Sequence, residues 1–193
     1  MHTAKPKWPH AEAAAVAAQL RGLLAGACER IEVAGSLRRG KASVGDVELL
    51  YVPRIGEAVP PGGLLAVPGV NLADSVIAAL LDLDVLTKRT NVNGRAMFGE
   101  RNKLVRHAAS GIAVDLFAAT RENWWNYLVC RTGGSRSNIA LCNAAIARGW
   151  KWHPYGPGFS RWHRGALEVQ AMRSEREVFE FVALEYREPG ERA

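Results

Sequence analysis

Apolar positions in the first part of the chain repeat with both helical and strand periods. Residues 11–29 and 72–83 have apolar residues at helical spacing, which predicts two amphipathic helices. Short apolar runs bounded by turn residues predict strands at 31–34, 47–52, 84–88, 103–107 and 112–118. The glycine- and proline-rich segments 35–40 and 57–69 predict loops, and Asn93-Gly94 predicts a turn. Strands flanked by helices indicate an α/β arrangement.

After Thr120 the pattern becomes mainly helical. Helices are predicted at 122–129, 135–148 and 175–184. The aromatic, turn-rich stretch 150–172 predicts a small sheet. The expected fold class is therefore α/β (α+β), with a mixed sheet and flanking helices at residues 1–120 and a small α+β domain at residues 121–193.

Composition excludes several classes of protein. The 193 residues are 48% hydrophobic and 23% charged, which is typical of a globular chain and not of a disordered one. No apolar run is long enough to span a membrane, so we expect no membrane partner. Three cysteines without a Cys-x-x-Cys pair argue against a disulfide scaffold. We expect a cytoplasmic protein, with a nucleoid-associated or viral setting as the alternative.

Charge is distributed unevenly along the sequence. Residues 87–167 have 13 basic and 3 acidic side chains, and six of these cations lie between Lys88 and Arg106. From Asn123 to Leu167 there is no acidic residue. Clustered Lys and Arg favour a polyanionic partner such as nucleic acid, and the alternative is a solvated basic face.

Three carboxylates are the strongest candidates for chemistry. Asp46 and Glu48 lie two residues apart on a predicted strand, so their side chains share one face. Asp115 lies between apolar neighbours in another predicted strand. Carboxylate oxygens on neighbouring strands are suitable ligands for two hard cations such as Mg²⁺. For Asp46 and Glu48 alone, a solvated strand face is the alternative interpretation.

A possible phosphate-binding loop precedes these acids. Gly35-Ser36 follows a predicted strand directly, and glycine allows the backbone to approach a ligand closely. Arg38 and Arg39 come next, and arginine is suited to bidentate phosphate binding. The segment therefore predicts a cradle for a phosphate group.

Four motifs in one order resemble the DNA polymerase beta type of nucleotidyltransferase, polymerase family X. Residues 35–48 (GSLRRGKASVGDVE) resemble its phosphate loop and first carboxylates, and residues 112–117 (IAVDLF) resemble its third-carboxylate strand. Residues 132–138 (TGGSRSN) are similar to its Thr-Gly-Ser helix start, and residues 174–192 to its closing motif. The resemblance implies a nucleotidyltransferase palm followed by a thumb-like domain.

The resemblance also implies roles for individual residues. Asp46, Glu48 and Asp115 would hold two Mg²⁺ ions, with Mn²⁺ as a possible replacement, and Asp115 would help to activate a primer 3′-hydroxyl. The positions implied to bind the incoming nucleotide are Gly35, Ser36, Arg39, Gly45, Arg131, Gly133 and Asn138.

The implied activity is that of a small DNA polymerase, acting in repair or in gap or end filling. It would add dNMP from dNTP to a primer 3′-hydroxyl on primer-template DNA or DNA ends and release pyrophosphate. Only 34 residues precede Gly35, so we expect a reduced monomeric form without the lyase and fingers domains. Cys130 and Arg131 stand where the family commonly has two aromatic residues, so NTP is a possible substrate.

Two alternatives differ in activity. A template-independent nucleotidyltransferase, acting on nucleic-acid ends or another hydroxyl acceptor, needs the same three carboxylates. A non-catalytic DNA-binding module needs none of them.

Overall fold

The computed structural model describes residues 6–59, 64–91 and 94–192, which form alternating strands and helices. The strands are β1 (Trp8–Pro9), β2 (Cys28–Val33), β3 (Ser43–Val44), β4 (Val47–Pro53), β5 (Ile55–Ala58), β6 (Val67–Asn71), β7 (Leu86–Lys88), β8 (Asn102–His107), β9 (Ala113–Ala118), β10 (Lys151–Trp152), β11 (Gly158–His163) and β12 (Ala166–Ala171). The helices are α1 (His10–Leu24), α2 (Gly35–Arg38), α3 (Leu72–Asp82), α4 (Trp124–Thr132), α5 (Ser135–Ala147) and α6 (Glu175–Glu180).

The chain divides into two compact units. The first ends at Val33 and resumes over Ala42–Ala118. It contains a five-stranded sheet in the order β2-β4-β9-β8-β7, in which β4 and β9 are parallel and the other neighbours are antiparallel. Helix α1 packs on this sheet. The mixed sheet with flanking helices confirms the predicted fold class.

Strand β4 is buried on both of its faces. Leu49 and Tyr51 are fully buried on one face, and Leu50 and Val52 are buried on the face that Glu48 shares. A solvated strand face would leave Leu50 and Val52 exposed. The alternative interpretation, that Glu48 lies on a solvated strand face, is therefore wrong. A carboxylate in such a strand costs solvation free energy and needs a compensating partner.

The second unit comprises Ala34–Lys41 and the chain from Ala119 onward. Its antiparallel sheet has the order β10-β11-β12. Helices α4, α5 and α6 and this sheet enclose an apolar core that includes Val129, Leu141, Phe159, Phe179 and Val182. The segment 34–41 belongs to this unit, although β2, which precedes it in the sequence, belongs to the five-stranded sheet of the first unit. The boundary after residue 120 inferred from the sequence stays a prediction.

Several local expectations were wrong. The segment 35–40 is not a loop throughout, because Gly35–Arg38 forms α2, entered through a positive φ of 64° at Gly35. Within 57–69, β5 and β6 pair as antiparallel strands where a loop was expected. Part of that segment, residues 60–63, and Asn93 of the predicted Asn93-Gly94 turn lie outside the described residues.

Two element boundaries also differ from the expectation. Helix α1 ends at Leu24, and a 3₁₀ turn at Ala25–Ala27 leads into β2 three residues before the strand was predicted to begin. Helix α6 ends at Glu180, four residues before the predicted end. Ala183 then adopts a positive φ of 52°, which a continuing α-helix cannot accommodate. Within the described ranges, none of the helices combines the length and apolarity that a membrane span requires.

Gly158 gives a test of this packing. A Cβ atom at this position would lie 2.0 Å from the backbone oxygen of Gln170 on the neighbouring strand, and a backbone atom cannot rotate away. We expect Gly158→Ala to lower the free energy of unfolding by about 3 kcal/mol, measured by urea denaturation.

Gly22→Ala is the matched control for Gly158→Ala. Gly22 lies inside α1, and a Cβ there would meet no atom within 4 Å. Alanine has the higher helix propensity, so this variant should gain up to about 1 kcal/mol. Equal stability of the two variants would contradict the description of β11 and β12.

Candidate active site

Glu48 and Asp115 lie side by side in the first unit. They are register partners across the parallel strands β4 and β9, so their side chains leave the same face of the sheet. Both are partly buried, and their nearest sequence neighbours are fully buried apolar residues. The sheet therefore concentrates two carboxylates at one point of an otherwise apolar surface.

Arg89 neutralises one of these acids. Its Nη2 forms an ion pair with Oδ1 of Asp115, and both side chains are less than one-fifth exposed. The Nε of Arg89 donates to the carbonyl oxygen of Val105 at 3.1 Å, and its backbone amide donates to Leu104. Strand β8 thus holds the guanidinium beside Asp115, where it compensates the cost of burying that charge.

Asp46 lies immediately before β4, close to the short pairing of β1 with β3. Strand β1 pairs antiparallel with β3, with Trp8 opposite Val44. The amide of His10 donates to the carbonyl oxygen of Ala42 at 2.9 Å. These contacts fix the chain just before Gly45 and Asp46. Asp46 is therefore half-buried at the start of the strand rather than within it, one residue outside the position expected from the sequence.

The chemistry of these acids suits hard divalent cations. All three predicted ligands offer carboxylate oxygens, the donor type that Mg²⁺ prefers. In the part of the chain that the structure describes, no group of three or more His, Cys, Asp or Glu is arranged to hold a metal ion. Asp115 is instead paired with Arg89. Donor type and the adjacency of Glu48 and Asp115 fit a metal pair, and Arg89 would have to release Asp115 first.

The segment with Ser36 and Arg39 belongs to the second unit. Ser36 lies in the first turn of α2, and its carbonyl accepts from the amide of Lys41 at 3.2 Å. Arg39 follows α2, and its Nη1 donates to the carbonyl oxygen of Thr132 at 2.7 Å. Its Nε is buried and has no hydrogen-bond partner among the described residues. Arg39 therefore retains a donor suited to an anion.

An ion cluster fixes the same segment to the C-terminal part of the unit. Arg38 donates to both carboxylate oxygens of Glu175 at 2.8 Å, and also to the hydroxyl of Thr132. Arg192, which is fully buried, donates to the same carboxylate at 2.7 Å. A buried arginine needs a counter-charge, and Glu175 supplies it.

Glu175 is held in its charged form. Burial alone would raise its pKa, but hydrogen bonds and positive charge from Arg38 and Arg192 outweigh that effect, so the pKa of Glu175 is lowered. The sequence indicated this residue only as part of the closing motif, without a role. The long separation between Arg38 and Glu175 left no local signal that they pair.

Asn138 and Gly133 lie in close contact. A Cβ on Gly133 would lie 2.4 Å from Oδ1 of Asn138, so only glycine fits beside this side chain. The Nδ2 of Asn138 donates to the carbonyl oxygen of Cys130 at 2.9 Å. Its Oδ1 is buried and has no hydrogen-bond partner within the described ranges. Asn138 is therefore oriented by α4 while one acceptor remains unused.

Arg131 differs from its neighbours because it contacts aromatic rings. Its guanidinium lies 5.6 Å from the ring centre of Tyr127 and 5.8 Å from that of Tyr155. Burial raises the pKa of Tyr127, and the charge of Arg131 opposes that rise.

Cys28 is buried, and burial raises the pKa of its thiol to about 11, so it has a packing role.

Comparisons with known proteins agree with this architecture. Residues 127–193 match the family model of the DNA polymerase beta thumb. A crystal structure of Leishmania infantum polymerase beta, a ternary P/T complex, is similar with a TM-score of 0.69 and 18% identity. The similarity covers 97% of this chain and 77% of that one. No curated protein matches the chain.

The fold is therefore of the polymerase beta type over nearly the whole chain. Its last 67 residues match the DNA polymerase beta thumb, and the predicted resemblance to polymerase family X is confirmed. The roles of individual residues stay predictions.

The ion cluster gives a stability test. We expect Glu175→Gln to lower the free energy of unfolding at pH 7 by about 3 kcal/mol, because two arginines lose their counter-charge. The pKa of Glu175 is lowered in the folded state, so its charge stabilises the fold fully above the ordinary glutamate pKa of about 4.3. That stabilisation is lost as pH falls through the lower folded-state pKa. Urea titrations of both proteins should converge only below about pH 4.3.

Glu180→Gln is the control on the same helix. Glu180 pairs with Arg176 at 3.7 Å, and both side chains are more than half exposed. Its loss should cost less than about 0.5 kcal/mol. A Glu175→Gln cost as small as that of the control would contradict the assigned role of the cluster.

Proposed function

We propose that this chain is a divalent-cation-dependent nucleotidyltransferase that adds dNMP from dNTP to the 3′-hydroxyl of DNA, as a DNA polymerase does. The observation that most directly supports this proposal is the register pairing of Glu48 and Asp115 within a buried mixed sheet. Acids at such positions cost stability, and that cost is typical of functional sites. The polymerase beta fold and the thumb match support DNA and a nucleotide as partners.

In this proposal Asp46, Glu48 and Asp115 are the ligands of two Mg²⁺ ions. When bound, the ions would lower the pKa of the attacking hydroxyl and neutralise the leaving pyrophosphate. Until then Arg89 compensates the charge of Asp115. The carboxylates thus remain in place in the absence of cations, at a tolerable electrostatic cost.

The reaction would be an in-line displacement at the α-phosphorus of the nucleotide. A bond forms between the primer 3′-oxygen and the α-phosphorus as the bond to the bridging oxygen of the β-phosphate breaks. Asp115 would accept the hydroxyl proton once Arg89 has released it. The products are DNA longer by one nucleotide and pyrophosphate.

Residues of the second unit would hold the nucleotide. Arg39 has an unpartnered Nε within the described ranges, and Ser36 has a hydroxyl at the start of α2, so both suit the triphosphate together with the amide of Gly35. The second group consists of residues from α4 and the start of α5: Arg131, Gly133 and Asn138. The free Oδ1 acceptor of Asn138 suits a polar edge of the nucleotide.

Templating, sugar choice and biological role are part of the proposal. Template-directed addition in repair or end filling is the principal proposal. Template-independent addition is an outcome of the test below, as is incorporation from NTP.

Asp115→Asn tests the enzyme proposal. Asparagine keeps the shape of the side chain but removes the charge that binds cations and accepts a proton. We expect the rate of nucleotide addition to a labelled primer with Mg²⁺ to fall at least about a hundredfold. Recessed, gapped and single-stranded substrates would be offered with each dNTP and NTP separately.

Asp82→Asn is the matched control, because Asp82 is an exposed acid at the end of α3. It should retain wild-type rates. Addition of only the complementary dNTP would support a templated polymerase, and addition regardless of template would support a tailing enzyme. Wild-type protein without turnover on any of these substrates would contradict the proposal.

Arg89→Gln tests the metal ligands without turnover. Removing the guanidinium leaves Asp115 without its neutralising charge, so a divalent cation should bind more tightly. We expect the affinity for Mn²⁺, titrated by electron paramagnetic resonance without nucleotide, to rise roughly tenfold.

The control is Arg95→Gln, which removes the same charge from an exposed position. It should change the Mn²⁺ affinity less than about twofold. Weaker Mn²⁺ binding by Arg89→Gln would mean that Arg89 orients Asp115 and does not compete with the cation.

A further inference from the structure

The small sheet of the second unit has one face packed on the core and one face open. Trp152 and Phe159 are opposite each other on β10 and β11, and both are buried in the core. Because side chains alternate along a strand, Ser160 and Trp162 leave the other face. Leu167 and Val169 are their register partners on β12 and share that face.

This outer face exposes large apolar and aromatic side chains. Trp162 is 76% exposed, and Leu167 and Val169 are each 53% exposed. They continue into a groove of about 470 Å³ whose lining includes Leu167, Val169 and Tyr155. Tyr155 is 54% exposed. An exposed apolar patch of this kind is typical of an interaction site.

The wall of the groove is held in place by hydrogen bonds to α4. The Nδ2 of Asn126, a fully buried residue, donates to the carbonyl oxygen of Pro157 at 2.8 Å. Its Oδ1 accepts from Nε1 of Trp152 at 2.9 Å, and Asn123 donates to the carbonyl of Tyr155. A groove built on such contacts needs little rearrangement to accept a ligand.

Several cations lie around the outer face. Lys151 is the register partner of Ser160 and therefore lies on the outer face, where it is exposed. Arg164 lies exposed in the β11–β12 turn, and the Arg131 guanidinium lies 5.8 Å from the ring centre of Tyr155. The acid of the hairpin, Glu168, is on the opposite face and pairs with Arg161 at 2.6 Å.

Exposed aromatic rings, an apolar groove and nearby cations together suit unpaired nucleobases joined by phosphates. Bases stack on aromatic side chains, and phosphates pair with cations without regard to sequence. A protein partner would fit the apolar side chains but gives no reason for the nearby cations. We propose that the outer face formed by Lys151, Ser160, Trp162, Leu167 and Val169 binds single-stranded DNA, with a base stacked on Trp162.

The test is DNA binding by the full chain with EDTA present. A labelled oligothymidylate and a blunt duplex would be titrated by fluorescence anisotropy. We expect Trp162→Ala to weaken single-strand binding about tenfold and duplex binding less than about twofold, because paired bases are not free to stack on the ring. Trp162→Phe keeps a ring and should stay within about threefold of wild type. Lys151→Gln should reduce the slope of log affinity against log salt by about 0.7.

Leu167→Ala and Leu83→Ala form a matched pair. Leu83 is 72% exposed and lies in the first unit, so its truncation should leave single-strand affinity unchanged, whereas Leu167→Ala should weaken it. Urea denaturation of each variant separates loss of binding from loss of folding. A folded Trp162→Ala protein with wild-type single-strand affinity, or with equal losses for single strand and duplex, would overturn the proposal and favour a protein partner.

The inference rests on the proposed function only in taking DNA as the ligand. Binding is measured without metal or nucleotide, so an inactive wild-type protein that still shows the Trp162 effect would contradict the transferase and leave this surface assigned. An active enzyme without the Trp162 effect would support the transferase and contradict the assignment of this surface.

Discussion

Glu175 accepts hydrogen bonds from two arginines, and the second unit depends on this one carboxylate. Arg192 is fully buried and Arg38 is partly buried, and both need a counter-charge to offset the lost solvation. The three residues come from the start of the unit, from α6 and from the C-terminal end. One carboxylate therefore fixes segments that the sequence separates by up to 154 positions, and it explains why residues 34–41 group with the thumb-like unit.

The first unit solves the same electrostatic problem in a different way. Asp115 and Glu48 are adjacent in a sheet whose neighbouring positions are apolar, and Arg89 forms an ion pair with Asp115. In the second unit two arginines share one carboxylate. In the first unit the counter-charge of Asp115 comes from Arg89, directly after the short edge strand β7. Under the proposed function a divalent cation would take the place of Arg89, whereas Glu175 would keep both of its arginines.

The sequence predicted the elements with strong periodicity and the residues within contiguous motifs. Strands β4, β8 and β9 and helices α3 and α5 were placed to within two residues, because their apolar patterns are regular. The four-residue helix α2 was missed, because it is too short for a period and its glycine suggested a loop. Strands β5 and β6 were missed because proline and glycine obscured their pairing. The pairs Arg89–Asp115 and Arg38–Glu175 join distant positions, and only the folded topology defines them.

The stretch from Asn123 to Leu167 has no acidic residue, but its composition does not tell where its basic and aromatic side chains lie in the fold. Its positive charge alone suggested a polyanionic partner, and the fold places its members in different environments. Arg161 pairs with Glu168 and lies 4.4 Å from the ring centre of Trp150, so its charge is already engaged within the unit. Trp152 is buried in the core, whereas Trp162, ten residues later, is mostly exposed. Strand alternation makes this distinction, because adjacent positions face the core and the solvent in turn. The β11–β12 hairpin thus brings aromatic, apolar and cationic groups together on one face.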